Sequence, residues 1–307
     1  MTLKRIARIR AIVAIVLVAT AWLTAPSLLS GAAPNGSRIA FEGDRFSSWG
    51  LSVMKPDGTG ASDLFAPYGA ADASWSPNGQ MVAFEGDPNG DGNLEIFVMN
   101  ADGTNVRQLT DSPDRDYWPD WFPNGKQIAF TSLRGGVPNI YIMNADGSDQ
   151  QALTDDIEFG SFEPDVAPNG KRVLFMRARQ FEPPTLWTID TDGANLTQLT
   201  ELGAYEDLDP QWSPNGKRIV FSSFRSGSYE IWTMNADGSN MIKLTASPGA
   251  DFNPTFSPDG QQIAWWKLRF GQGDIWIMNA DGSGQVNVTN SPVFEGFPDW
   301  HQGHLGQ

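Results

Sequence analysis

The chain has 307 residues, with 21 Lys plus Arg against 36 Asp plus Glu, a formal net charge of −15 and no cysteine. Such an acidic surface repels nucleic acid and anionic lipid, and the missing cysteines exclude a disulfide framework, a thiolate metal site and a lipid-modified N-terminal cysteine. Length allows one large domain or two small ones, so internal repetition decides between them.

Residues 1–32 read as a targeting segment. Lys4, Arg5, Arg8 and Arg10 precede an apolar run from Ala11 to Leu23, about as long as a signal-peptide core and too short for an ordinary membrane span. The small residues Ser30, Gly31, Ala32 and Ala33 place cleavage after Ala32. The alternative is an uncleaved anchor, the one route by which the chain would be tied to a membrane. Either way the chain is expected to be exported, to the periplasm or the medium, with a single folded domain over 33–307.

Two turn series run in step through that domain. Pro-Asn-Gly or Pro-Asp-Gly begins at Pro34, Pro77, Pro123, Pro168, Pro214 and Pro258, and Asp-Gly recurs at Asp57, Asp102, Asp146, Asp192, Asp237 and Asp281, spaced by 45, 44, 46, 45 and 44 residues. Pro presets φ at the first corner, Asn or Asp tolerates the second, and Gly takes the positive φ of a bulged hairpin. Between the turns lie runs such as Gln127-Ile128-Ala129-Phe130 and Asn139-Ile140-Tyr141-Ile142-Met143, β-branched and aromatic, so each repeat supplies four short strands. Their apolar residues are consecutive rather than alternating, as in sheets covered on both faces. A period near 45 with four strands predicts an all-β fold, a six-bladed β-propeller with four antiparallel strands per blade.

The first repeat lacks the strand that opens each of the others, such as Trp118-Pro119-Asp120-Trp121 or Asp209-Pro210-Gln211-Trp212. An unattached copy, Phe297-Pro298-Asp299-Trp300, stands near the C-terminus. Pairing it with the strand near Arg38 completes blade one from both ends of the domain and leaves no open circular edge.

The units Trp75-Ser76-Pro77-Asn78-Gly79, Trp212-Ser213-Pro214-Asn215-Gly216 and Met234-Asn235-Ala236-Asp237-Gly238, the last followed by Leu244-Thr245, resemble the WD-like repeats of TolB-type propellers, over about residues 34–300. The resemblance implies the fold directly and function only by analogy. TolB is similar to a periplasmic protein-docking module, so a monomeric, non-catalytic protein-binding scaffold is expected. TolB proteins carry an α/β domain before the propeller, whereas here the first turn is expected directly after the targeting segment, a departure that weighs against a role in the Tol-Pal system proper.

In a four-strand blade the first and third turns share one face, and the second turn and the inter-blade link share the other. The first face repeats from blade to blade and is explained by turn geometry. On the second face an arginine follows the Phe or Trp of the second strand by four residues, at Arg45, Arg134, Arg179, Arg225 and Arg269. An acid precedes the inner-strand proline by three, at Asp116, Asp207, Asp251 and Glu295. Asp116 with Arg134, Asp207 with Arg225, and Asp251 with Arg269 are expected as cross-strand pairs, either purely structural or also a charged rim for a partner.

Blade two has Pro88 in place of the arginine and carries Asp87-Pro88-Asn89-Gly90-Asp91-Gly92-Asn93-Leu94-Glu95. Asp87, Asn89, Asp91 and Gly92 match positions one, three, five and six of a calcium loop. Val98 stands at position twelve, so Glu95 or water would have to complete the shell, with Asn93 alongside. A weak Ca2+ site is the expectation, and a solvated Asx-Gly loop the alternative.

The histidines, His301 and His304, are expected beyond the last strand, and no Gly-x-Ser-x-Gly elbow or phosphate loop occurs, so no catalytic residue is assigned. A metal-dependent channel hydrolase of lactonase or glycosidase type, working through carboxylates, is the rival reading. A glycan-binding propeller is the third, with Trp49 and Trp266 near variable loops as stacking surfaces.

Overall fold

A computed structural model of the chain describes residues 36–44, 49–64, 69–246 and 248–301. The targeting segment, Pro34, Arg45 and His304 lie outside the described residues. Within them are twenty-four strands in six four-stranded antiparallel sheets, and no helix.

Each blade is built in chain order from its inner strand outward. Blade three runs through Asp116–Trp121, Gln127–Ser132, Asn139–Asn144 and Gln151–Ala152. Blade one is composite as expected, since Glu295–His301 pairs antiparallel with Arg38–Gly43, setting Ile39 opposite Trp300 and Gly43 opposite Glu295.

The consecutive apolar runs have their reason in the packing. Ile39, Ala40 and Phe41 are all fully buried, because neighbouring side chains on a strand face opposite neighbouring blades. The core is accordingly a set of six seams. Ile39, Phe41, Met54 and Trp300 of blade one pack on Ala264, Ile275 and Ile277 of blade six, and Ala40, Leu51 and Val53 pack on Trp75, Val82 and Phe84 of blade two.

The Asp-Gly turns tie neighbouring blades as well as strands. In blade one the Asp57 carboxylate accepts the Thr59 amide at 2.9 Å and its hydroxyl at 2.6 Å. The following Gly58 has φ +78°, and a Cβ there would sit 1.9 Å from the Val288 carbonyl oxygen of blade six. This glycine is demanded both by its left-handed backbone and by the closeness of the ring seam.

The inner strands carry a bulge in every blade. In blade three Tyr117 pairs with Thr131 and Asp120 with Ala129, so Trp118 and Pro119 together oppose Phe130. Register shifts at equivalent points interrupt the other five. The first bulge residue, Asp72, Trp118, Glu163, Asp209, Asn253 or Phe297, has φ between 45° and 54°. A proline follows in five blades and Ala73 in the sixth. The inner strand is a sheet edge, where a proline that donates nothing to the ladder is tolerated.

Candidate functional site

The bulges line the central channel. It is walled by three residues from each blade, the left-handed residue, its proline or alanine, and the residue after it, around a cavity of about 140 Å3. The left-handed positions bring Asp72, Glu163 and Asp209 together with Trp118, Asn253 and Phe297.

The third residue of each triplet closes a ring of hydrogen bonds. A bulge leaves a backbone N–H without a ladder partner, and the preceding blade supplies the acceptor. Asp120 accepts the Val166 amide at 2.7 Å, Asp165 that of Trp212 at 2.6 Å, and Gln211 that of Phe256 at 2.7 Å. Thr255 accepts from Trp300 at 3.4 Å, Asp299 from Trp75 at 3.0 Å, and Ser74 from Trp121 at 3.4 Å, completing the circle.

Three of those acceptors are carboxylates with little water around them. Burial pushes Asp120 up to about 6 and Asp299 up to about 7, the latter helped by the charge of Asp120. Burial raises Asp165 as well, with Asp120 and Asp299 adding repulsion. Asp209 is raised by burial even though it accepts the Asn253 amide and the Ser222 hydroxyl.

On the second-turn face, two of the three expected cross-strand pairs form. Arg134 meets buried Asp116 at 2.7 Å, and Arg225 meets Asp207 at 2.8 Å, where the Ser223 hydroxyl adds a bond of 2.6 Å. Burial raises Asp116 despite the neighbouring Arg134.

Blade six departs from the expected pairing, because buried Asp251 pairs with Lys267 at 3.2 Å. Lys267 stands directly across from Asp251, the register position that Ser132 and Ser223 hold opposite Asp116 and Asp207, while the second strand runs on to Arg269, paired with Gln272. Arg269 instead sits 5.2 Å over the exposed Phe270 ring. Glu295 is fully buried.

Blade four has Ser161 at the acid position, yet Arg177 and Arg179, at the second-turn end of its second strand, are both paired. Arg177 bonds Asp156, and Arg179 meets Glu158 at 3.3 Å. The acids come from the inter-blade link, a source that the strand pattern did not reveal. The charged pairs are thus mostly part of the blade interiors. Arg225→Ala would leave Asp207 with the serine alone, and a loss of about 2 kcal/mol in urea unfolding is expected, of which Arg225→Lys recovers less than half.

The blade-two loop is organised from within. The Asp87 carboxylate accepts the amides of Gly90 at 2.7 Å, Asp91 at 3.2 Å and Gly92 at 2.7 Å, and Asp91 accepts that of Asn93 at 2.9 Å. Asn93 donates to Glu95 and to the Ser112 carbonyl. Glu95 is buried, and accepts the Thr110 hydroxyl at 2.6 Å and the Ser112 amide at 3.0 Å.

Glu95 therefore serves the blade rather than the loop. Its counterparts Asn139 and Glu230 accept the hydroxyls of Thr154 and Thr245 in the same way, and those threonines accept the next strand amide at 2.9 Å. Among the described residues no group of three or more His, Asp or Glu side chains is placed to hold a metal ion. Asp87, Asn89, Asp91, Asn93 and Glu95 do not fit a calcium cage as folded, since Asp87 is committed to amides and Glu95 to Thr110. Asp87→Ala is expected to cost about 1 kcal/mol, equally in calcium and in chelator. Calcium-dependent protection of the unsubstituted chain alone would establish the cage reading.

Of the two tryptophans read as stacking surfaces, Trp266 is buried, donates its indole N–H to Asn253 at 2.8 Å and packs on Phe252 and Phe294. Only Trp49 is exposed, and it stacks on Phe294 at 5.2 Å.

Comparison with known proteins agrees with this geometry. Residues 67–207 and 203–301 match the TolB beta propeller domain family. A Protein TolB homolog of Chlorobium luteolum is 31% identical over 114 residues, 37% of this chain and 26% of that protein, so the chain spans about a quarter of that relative. TolB from Acinetobacter baumannii superposes with a TM-score of 0.73 at 21% identity, over 87% of this chain and 68% of that one. A putative TolB from Agrobacterium tumefaciens gives 0.67 at 18%, over 88% and 99%.

Proposed function

The chain belongs to the TolB β-propeller domain family, and on that premise we propose that it is an exported scaffold, periplasmic or secreted, that binds another protein and carries no chemistry of its own. The observation behind this reading is the inequality of the two faces. Seven large apolar side chains, Trp49, Ile157, Phe181, Leu202, Tyr205, Phe224 and Phe270, stand exposed on second turns and inter-blade links. Exposed apolar residues gathered on one face mark an interaction surface. The repeated turn face offers mainly self-bonded Asp and Asn turns.

The use of the channel also favours a scaffold over a catalyst. Asp120, Asp165 and Asp299, which a channel hydrolase would draw upon, are engaged as inter-blade acceptors.

The test is photo-cross-linking in the native envelope and medium, with a cross-linker placed at Phe181 on one face and at Asn124 on the other. A protein adduct reproducibly formed from Phe181 and absent from Asn124 is expected. Turnover of a lactone or glycoside that is lost in Asp209→Asn, with no adduct from either position, would replace the scaffold by the hydrolase.

A further inference from the structure

The exposed apolar residues are concentrated over blades four and five, on consecutive loops of one face. Ile157 lies on the link entering blade four and is 86% exposed; Phe181 lies on that blade's second turn and is 70% exposed. Leu202 and Tyr205 follow on the link to blade five, and Phe224 on its second turn, all exposed.

The charges around them are of two kinds. Every basic residue of these loops and strand ends is already matched within the chain: Arg177 by Asp156, Arg179 by Glu158, and Arg225 by Asp207. The guanidiniums also lie over aromatic rings, Arg177 and Arg179 each at 4.3 Å from Phe159 and Arg225 at 5.6 Å from Tyr205. Asp155, Glu182 and Glu201 sit on the same loops with no ion-pair partner among the described residues. The surface is therefore apolar and carries uncompensated negative charge.

We propose that this face of blades four and five docks a basic, apolar segment of another protein, with lysine or arginine facing Asp155, Glu182 and Glu201 and apolar side chains covering Ile157, Phe181 and Leu202. The proposal rests on the scaffold reading and names the chemistry of its partner. Charge complementarity selects this occupant. A second copy would bring like charge against like, and an anionic membrane or a nucleic acid would meet the same repulsion.

The experiment uses the full chain and fluorescence anisotropy with three labelled peptides: Lys-Leu-Lys-Phe-Lys-Leu-Lys, its Glu-for-Lys counterpart, and a version with Ser for every Leu and Phe. The first is expected to bind at least about tenfold more tightly than either other, a difference of roughly 1.4 kcal/mol. Ile157→Ser with Phe181→Ser should remove that preference, and charge reversal at Asp155, Glu182 and Glu201 should transfer it to the glutamate peptide. Leu196→Ser, exposed on a third turn of the opposite face, should leave binding unchanged. All but the half-buried Glu182 lie on exposed side chains, and an unaltered melting curve checks that the ring is intact.

Equal binding of the serine peptide, or indifference to the Ile157 and Phe181 substitutions, overturns the proposal. So does self-association in sedimentation that the same substitutions abolish, or co-sedimentation with phosphatidylglycerol vesicles through this face. Native cross-links that map elsewhere on the ring would remove this docking site while leaving the scaffold itself standing.

Discussion

Removal of residues 293–307 is expected to abolish cooperative folding. The deletion takes away the inner strand of blade one, and with it both seams that the strand spans. Trp300 leaves the cluster formed by Ile39, Phe41, Ala264 and Ile275, and Phe294 leaves Phe252 and Trp266. Loss of a buried Trp or Phe costs about 3–5 kcal/mol each. Two members of the channel ring go too, the Asp299 acceptor for the Trp75 amide and the Trp300 amide given to Thr255. Leaving such groups unpaired costs about 1–3 kcal/mol apiece, and the exposed edge of Arg38–Gly43 becomes a template for aggregation. Together these losses match the whole stability of a typical domain, about 5–15 kcal/mol. Circular dichroism should show no cooperative melting transition, and a synthetic peptide of residues 293–307 added in excess should restore one. A truncated chain that melts cooperatively at an unchanged temperature would show that the ring closes in another way.

That closure was legible in the sequence because it follows from repetition: five inner strands within the array and a sixth beyond it leave one place for the last. Strand number and turn chemistry were legible for the same reason. The channel was less so. Proline inside a strand signals an edge or a bulge, and the triplets from Trp118-Pro119-Asp120 to Phe297-Pro298-Asp299 carry that signal. Which amide each third residue accepts depends on the register of the neighbouring blade, which no single repeat contains. Asp251 illustrates the limit in one hairpin: a fixed spacing of four points to Arg269, but directly across from the acid blade six has Lys267 where blades three and five have Ser132 and Ser223, and its ammonium takes the pair. Glu95 illustrates the opposite case. Aligning it with Glu230 and Asn139, each before an Ile of the third strand, would have placed it in the blade network, since a residue repeated at one register position answers to the blade before it answers to a local loop.

Asp299→Asn is expected to stabilise the chain at pH 8 and to flatten the dependence of its stability on pH. Burial lifts Asp299 from its ordinary value of 3.8 to about 7 in the folded ring. Between those values the folded chain holds a proton that the unfolded chain has released, so stability is greatest below the unfolded pKa and is lost as pH rises through the folded one. A tenfold change in acidity corresponds to about 1.4 kcal/mol, so the cost at pH 8 is on the order of 2–4 kcal/mol. Asparagine removes the titration while its amide oxygen still accepts the Trp75 amide. Opposite behaviour is expected of Asp57, Asp102, Asp146, Asp237 and Asp281, which side-chain bonds from Thr or Ser hold below the ordinary carboxylate range. Their stabilisation is present above 3.8 and disappears as pH falls below it. The two groups together place maximum stability at about pH 4–5. Urea unfolding at a series of pH values should show stability falling from pH 5 to pH 8 in the natural chain and less steeply in Asp299→Asn, where Asp120 and Asp165 still lose a proton as pH rises. Asp299→Ala separates charge from hydrogen bond: it also loses the titration but strands the Trp75 amide, so it should be less stable than the asparagine variant at every pH by about 1–3 kcal/mol. Equal stability of the two variants would mean that the ring acceptor contributes nothing. A natural chain more stable at pH 8 than at pH 5 would mean that Asp299 is ionised throughout that range.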